Sequence, residues 1–166
     1  AVIFIFAGLF FNPFLIVIGF FIFLGARGEY EMMKYQNILN NYQVKDLIQT
    51  DYDKLDENET LVSAADRLAH NTTRGFVITS DGEYAGILTK NDLIKGLSIH
   101  GKDGKVNEVM SENIESITPE MTLFDVYKTM HKNKYDIVPV KENERFKGII
   151  DMENINEFFL IQKALH

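Results

Sequence analysis

Residues 44 to 165 repeat themselves with a constant shift of 62 positions, the distance from Val44 to Val106, and this duplication strongly constrains the fold. Apolar residues stay in register across the shift, as do a Thr-Leu pair and a glycine followed by two apolar residues. The matched positions include Leu55 and Ile117, Thr60-Leu61 and Thr122-Leu123, Phe76 and Val138, and Gly86-Ile87-Leu88 and Gly148-Ile149-Ile150. Because the match needs no gap, the sequence predicts two copies of one structural unit.

Each copy predicts the same order of elements, β-α-β-β-α. A short extended piece precedes Thr60 or Thr122, and a threonine in this place caps the N-terminus of a helix. Two strands follow that helix, with turn residues between them at 80–82 and 142–144, and a second helix closes the copy. A copy of about 60 residues buries little apolar surface alone, so the two should pack together as one α/β (α+β) unit. The predicted domains are residues 44–105 and 106–166.

The first 26 residues contain no charged side chain and are almost entirely apolar. A helix needs about 20 apolar residues to cross a bilayer core, so this stretch predicts a transmembrane helical segment. Asn12-Pro13 interrupts it, because proline lacks an amide donor and disfavours a helical conformation in the residue before it. Two arrangements stay open: one long helix kinked at Pro13, or two helices joined by a turn. A secretory signal peptide is the competing interpretation, but it would need a basic region before its apolar core.

Charged residues begin at Arg27, and they give the chain a formal net charge of -7. Without a basic stripe, this acidic balance argues against nucleic acid as the main partner. Residues 27–43 predict a linker helix, in which Arg27 and Lys34 lie beside the apolar segment. Basic residues beside a membrane segment favour the cytoplasmic side, so we expect the two copies in the cytoplasm. The sequence has no cysteine, which excludes disulfides and thiolate metal sites.

Several motifs resemble the CBS domain family. The string "IVPV" at 137–140 and the apolar strand before each Thr-capped helix are similar to it. The string "GILTKNDL" at 86–93 matches the family's element of glycine, two apolar residues, threonine or serine, two variable residues and aspartate. The resemblance covers about residues 44–165 and implies a tandem CBS pair packed as one disc-shaped unit. It also implies that two such pairs form a homodimer face to face.

The Thr89–Asp92 motif has a chemistry that suits a nucleotide. A hydroxyl beside the free amides of a helix N-terminus suits a phosphate, and an acceptor-only carboxylate suits the two hydroxyls of a ribose. The resemblance implies these same roles, with Thr89 on the phosphate and Asp92 on the ribose of an adenine nucleotide (AMP, ADP or ATP). Arg74 is the candidate phosphate cation, and Ile114 is the candidate contact for the base. The competing interpretation is an ordinary helix N-cap without a ligand.

The second copy departs from this pattern. Its string "GIIDMENI" places Asp151 where the threonine should be and Asn154 where the aspartate should be. A carboxylate repels a phosphate, so we expect no adenylate at this second site without a metal. Asp151 and Glu153 are candidate Mg²⁺ ligands, although two such acids more often form a solvated helix start. We therefore expect at most one nucleotide per pair, at the Thr89 site.

The stretch that joins the apolar segment to the first copy resembles a second family. Residues 12–48, "NPFLIVIGFFIFLGARGEYEMMKYQNILNNYQVKDLI", are similar to the end of the last membrane helix in site-2-protease-like (M50-type) zinc metallopeptidases that carry CBS domains. There, a helical linker leads into the first CBS repeat. The resemblance implies an integral membrane parent protein. Since the chain opens inside an apolar run, we expect it to be a fragment of that parent.

The 166 residues hold no zinc peptidase motif. Such a site needs a His-Glu-x-x-His helix and a further carboxylate ligand, and none of the four histidines is followed by glutamate. We therefore expect zinc only in the missing catalytic part, and no peptidase activity from this chain alone. The alternative parent is a membrane transporter or channel with a CBS tail. A third interpretation makes the pair a dimerisation scaffold without a ligand.

Overall fold

The computed structural model describes residues 2–10, 12–70 and 74–165. This part of the chain holds six α-helices and five strands. The helices are α1 (Val2–Phe10), α2 (Phe14–Leu39), α3 (Leu61–His70), α4 (Lys90–His100), α5 (Leu123–Asn133) and α6 (Met152–Leu165). The strands are β1 (Lys54–Asp56), β2 (Gly75–Ser80), β3 (Glu83–Thr89), β4 (Ile137–Glu142) and β5 (Arg145–Asp151). The predicted mixed α/β fold with two related halves is confirmed.

The two N-terminal helices contact each other, and the chain turns between them at Asn12-Pro13. The side chain of Asn12 accepts a hydrogen bond from the amide of Phe14 at 2.9 Å, where α2 begins. The apolar run and the predicted linker helix then form one uninterrupted helix, α2. The side chain of Arg27, on which the predicted orientation rests, lies outside the described residues. Among the described residues no helix has both the length and the apolar character to cross a bilayer, so the spanning segment predicted for residues 1–26 is not supported.

Two small sheets carry the duplicated core. In the first, β1 pairs parallel with β2, and β2 pairs antiparallel with β3; in the second, β4 pairs antiparallel with β5. The extended piece predicted for the second copy is reduced to a single parallel bridge between Ile117 and Val140. The first copy uses the amide of Val77 as a donor to Asp53 at 3.0 Å. The counterpart of Val77, 62 positions later, is Pro139. Proline has no amide hydrogen to donate, so the ladder of backbone hydrogen bonds stops there in the second copy.

The segment that leads into each copy completes the sheet of the other copy. Gln49 bridges to Ile149 of β5, and Ser111 bridges to Ile87 of β3. Their neighbours follow the same exchange: Val44 belongs to the core of β4 and β5, and Val106 to the core of β2 and β3. We therefore call residues 54–111 the first half, and residues 39–49 with 117–165 the second half.

The repeated glycines allow these exchanged segments to approach the sheets. A Cβ atom on Gly86 would lie 2.9 Å from the carbonyl oxygen of Ser111, and one on Gly148 would overlap the carbonyl oxygen of Gln49. Only a residue without a side chain leaves room for the crossing backbone. A third apolar cluster then joins the halves; its buried members are Val77, Ile87, Ile137 and Ile149.

Candidate functional site

Two cavities lie between the first and second halves, and the 62-residue shift relates one to the other. We name them the Thr89 pocket and the Asp151 pocket, after the residues that end β3 and β5. Their volumes are about 240 Å³ and about 620 Å³. In each pocket, one half contributes the end of a strand and the start of a helix, while the other half contributes the loop before a strand. Each pocket is therefore complete only when both halves are packed together.

The Thr89 pocket contains three of the four residues that the sequence nominated for nucleotide binding. They are Thr89, Asp92 and Ile114, and the further lining residues are Asn91, Lys95, Ser111, Asn133, Lys134, Tyr135, Asp136 and Ile137. Thr89 and Asp92 are half-buried at the N-terminus of α4. Ile114 lines the same pocket and packs against both the core of the second half and the apolar cluster that joins the halves. Its contact with a base stays a prediction.

Thr89 and Asp92 form a reciprocal helix cap. The hydroxyl of Thr89 accepts the amide of Asp92 at 3.2 Å and donates to Oδ2 of Asp92 at 2.7 Å. The same Oδ2 accepts the amide of Thr89 at 3.3 Å. The competing interpretation, an ordinary N-cap, therefore describes the geometry correctly. It does not exclude a ligand, since the cap lies at the wall of a cavity and the carboxylate has a second oxygen.

Arg74 does not line the Thr89 pocket. It lines the Asp151 pocket, where its half-exposed guanidinium forms an ion pair with Glu153. The corresponding position in the Thr89 pocket, 62 residues later, is Asp136. The prediction placed Arg74 beside the Thr89 motif of its own copy, whereas the loop before each second strand faces the pocket of the other copy. The nearby cations missed by that reasoning are Lys95 and Lys134. Applying the repeat shift across copies would have pointed to the loop before β4, which contains Lys134.

The Asp151 pocket differs from its counterpart in the chemistry of its helix start. Oδ1 of Asp151 accepts the amides of Glu153 at 2.7 Å and Asn154 at 3.2 Å, so the carboxylate covers the first amides of α6. Burial raises the pKa of Asp151 above its usual value, while the amide of Asn154 and the charge of Arg74 oppose that rise. Across the described residues, no group of three or more His, Cys, Asp or Glu side chains is arranged to hold a metal ion. The Mg²⁺ interpretation of Asp151 and Glu153 thus lacks a third protein ligand.

A central cleft of about 580 Å³ lies next to both pockets. It shares Asn91 and Asp136 with the Thr89 pocket, and Arg74 and Asp151 with the Asp151 pocket. Lys90 also lines it, and the amide of Lys90 donates to the carbonyl oxygen of Arg74 at 3.3 Å. The cleft therefore places two cationic side chains, Arg74 and Lys90, beside the Thr89 pocket, together with the carboxylates of Asp136, Asp151 and Glu153.

Comparison with known proteins places both copies in one family. The family model of the CBS domain matches residues 44–99 and 106–160. The CBS domain-containing protein YhcV of Bacillus subtilis is 26% identical over 114 residues, which are 68% of this chain and 81% of that protein.

Solved structures share the same fold. The CBS domain pair of protein MJ0100, in complex with 5′-methylthioadenosine and S-adenosyl-L-methionine, is 25% identical with a TM-score of 0.64. That match covers 72% of this chain and 97% of the other. CBSX2 in complex with AMP is 19% identical with a TM-score of 0.62, over 74% of this chain and 98% of the other.

Proposed function

This chain belongs to the CBS domain family, and we propose that its tandem pair is a regulatory module that binds an adenine nucleotide in the Thr89 pocket. The observation that carries the proposal is the Thr89–Asp92 pair at the start of α4, inside a pocket that both halves build. Related CBS pairs in complex with AMP, or with 5′-methylthioadenosine and S-adenosyl-L-methionine, support a ligand of the adenosine type.

Each part of the nucleotide has a chemically suitable partner in the pocket. The hydroxyl of Thr89 and the positive N-terminal end of α4 suit a phosphate, which would compete for the amides of Lys90 and Asp92 that now donate to Arg74 and Thr89. The two described bonds from Thr89 use Oδ2 of Asp92, and a carboxylate offers its other oxygen to the ribose hydroxyls. Ile114 supplies apolar contact for the base. Lys95 and Lys134 offset the phosphate charge, and further phosphates of ADP or ATP would extend toward Lys90 in the central cleft and would compete with Glu153 for Arg74.

A bound nucleotide would act on the rest of the protein through α2. The C-terminal end of α2 belongs to the second half, because Leu39 is fully buried in that core. Tyr35 stacks on Phe159 and Tyr127, with ring centroids 3.7 Å and 4.7 Å away, and its hydroxyl donates to Asn156 at 3.3 Å. A ligand that draws the halves together would therefore move α2 with the second half. Coupling of this kind commonly amounts to about 1–3 kcal/mol.

We propose that residues 1–26 lie in a membrane and that the CBS pair lies in the cytoplasm. Apolar side chains are exposed along both helices of this segment, among them Ile3 at 82%, Phe14 at 72% and Phe21 at 68%. Water does not favour so many exposed apolar groups on one short segment, and a bilayer does. The parent protein we propose is a site-2-protease-like zinc metallopeptidase whose catalytic part lies outside these residues. A transporter or channel is the alternative parent, and a His-Glu-x-x-His motif upstream would decide between them.

We also propose that two CBS pairs assemble as a homodimer. Exposed apolar side chains lie on α4 and α6, the helices that close the two copies; they are Ile94, Ile99, Leu160, Ile161 and Leu165. Association through these helices would cover them. Sedimentation of the chain in detergent as a monomer at all concentrations would contradict this assembly.

The nucleotide proposal is tested by calorimetric titration of the full 166-residue chain, held in a mild detergent because of its exposed apolar helices. We expect saturable binding of AMP, ADP or ATP near one ligand per chain. Asp92→Ala should weaken it at least about tenfold, because a hydrogen bond to a charged group contributes about 1.5–3 kcal/mol.

The second copy offers a matched control for this experiment. Thr122 and Asp125 cap α5 through two bonds of the same kind, at 3.1 Å for the Asp125 amide and 2.9 Å between the side chains, but they do not line the Thr89 pocket. Thr122→Ala and Asp125→Ala should lower stability and leave nucleotide affinity unchanged, whereas Thr89→Ala should lower both. No binding at millimolar nucleotide, or equal loss of affinity in all four variants, would refute the proposal.

A further inference from the structure

We infer that Glu153 is a specificity-determining residue, which makes the nucleotide site favour AMP over ADP and ATP. The inference rests on the proposed function, because it concerns the phosphates of a nucleotide held in the Thr89 pocket. Glu153 lines the central cleft and is not among the residues that line the Thr89 pocket. Its charge therefore acts mainly on the second and third phosphates and little on the first.

The Thr89 pocket by itself offers charge for a single phosphate. Its volume is about 240 Å³, and its two cations are Lys95 and Lys134. A longer phosphate chain directed toward the cleft passes Asn91 and Asp136, the two residues that line both cavities. Neither of them is cationic, and the carboxylate of Asp136 repels a phosphate. The passage from the pocket to the cleft is therefore unfavourable for a second phosphate.

The central cleft has more carboxylates than cations. Asp136, Asp151 and Glu153 line it, against Arg74 and Lys90. Arg74 is in an ion pair with Glu153, so Lys90 is the one cation among the described lining residues that is not engaged in an ion pair. Each added phosphate brings further negative charge into this cleft, and the charge balance opposes it.

The ion pair between the halves is the contact that a phosphate chain must break. Arg74 belongs to the first half and Glu153 to the second, and their side chains are 56% and 37% exposed. A phosphate reaches the guanidinium only by displacing Glu153, whose carboxylate then stays in the same cleft and repels the phosphate. A pair at this exposure commonly changes an equilibrium by up to about fivefold. With the added repulsion, we expect a combined effect of about tenfold.

Titration of AMP, ADP and ATP into the full chain in detergent tests this inference. A chelator keeps the nucleotides free of divalent cations, so that their phosphates carry their full charge. We expect the affinity to fall with each added phosphate, and ATP to bind at least about tenfold more weakly than AMP. Glu153→Gln should strengthen ATP binding about tenfold and change AMP binding by no more than about twofold. Misfolding does not produce a gain in affinity, so this result would report on the cleft itself.

Two further variants assign the effect to the ion pair. Glu157→Gln removes the same charge one turn further along α6, where Glu157 is exposed and lines neither the pocket nor the cleft. This control should leave the ratio of ATP to AMP affinity unchanged. Adding Arg74→Gln to Glu153→Gln should remove most of the gain for ATP, because the released guanidinium is then absent.

The outcomes separate this inference from the proposed function. Equal binding of the three nucleotides to the native chain, lost in Asp92→Ala, would refute the inference alone. So would an equal change of AMP and ATP affinity in Glu153→Gln, or the same change of their ratio in Glu157→Gln. Absence of binding by all three nucleotides at millimolar concentration would refute the proposed function, and this inference with it.

Discussion

Substitution of Gly148 by alanine tests the exchange of segments between the halves. The added Cβ atom would overlap the carbonyl oxygen of Gln49 and would lie 3.0 Å from Cγ1 of Ile48, so the crossing segment must move. That movement breaks two backbone hydrogen bonds, from Gln49 to Ile149 at 2.9 Å and from Ile149 to Gln49 at 3.0 Å. Each contributes about 0.5–1.5 kcal/mol, and more if its groups stay buried without a partner. We therefore expect a loss of about 2–4 kcal/mol in the free energy of unfolding.

Chemical denaturation of the full chain in detergent, followed by circular dichroism, measures this loss directly. In thermal unfolding it corresponds to a decrease of about 4–16 °C in Tm for a chain of this size. Gly25→Ala is the matched control, because Gly25 is exposed within α2 and a Cβ there meets nothing within 4 Å. That control should be neutral or gain up to about 1 kcal/mol through helix propensity. A loss below about 0.5 kcal/mol in Gly148→Ala would refute the close crossing at β5.

Two further predictions concern a carboxylate and a tyrosine. Since burial raises the pKa of Asp151 above 3.8, its ionisation lowers stability as the pH rises through that raised pKa. Asp151→Asn should therefore gain stability relative to the native chain between acidic and neutral pH, with the difference vanishing below pH 3.8; a difference that shrinks with rising pH would contradict the shift. Tyr35→Ala removes the stack on Tyr127 and Phe159 and should make residues 32–41 more sensitive to proteolysis, without changing nucleotide affinity in the Thr89 pocket. Met33→Ala, 59% exposed on the same helix, should not have this effect, and equal sensitivity of both variants would argue against the contact.

The duplication was sufficient to predict most of the elements in each half. Short apolar strands and Thr-capped helices are local features, and Thr60, Thr89 and Thr122 lie where helices begin. The Thr89–Asp92 pair could also be predicted from the sequence, because a helix cap and its partner lie three residues apart and depend little on the rest of the fold.

The way in which the two halves pack against each other could not be predicted from the sequence in the same way. A constant shift shows which positions correspond, but it does not say which half a connecting segment packs against. That choice placed Gln49 on β5, and it put Arg74 in the opposite pocket from the one predicted. The absence of a full strand at Ile117 was in principle predictable from the sequence. Such a strand would need an amide donor at position 139 of β4, and proline has none.

The exchange of segments also determines the order in which the protein is completed during synthesis. The first half closes once Ser111 has been made, since every strand of its sheet precedes that residue. Leu39 and Val44 must wait for β5 and α6, because their core includes Ile150 and Phe159. Gln49 and its partner Ile149 are about 100 residues apart, which corresponds to roughly 5–20 seconds of translation. During that time Leu39 and Val44 lack the residues against which they pack in the finished core. A chain halted after the first copy would therefore expose these two apolar residues to aggregation, although its first half is already folded.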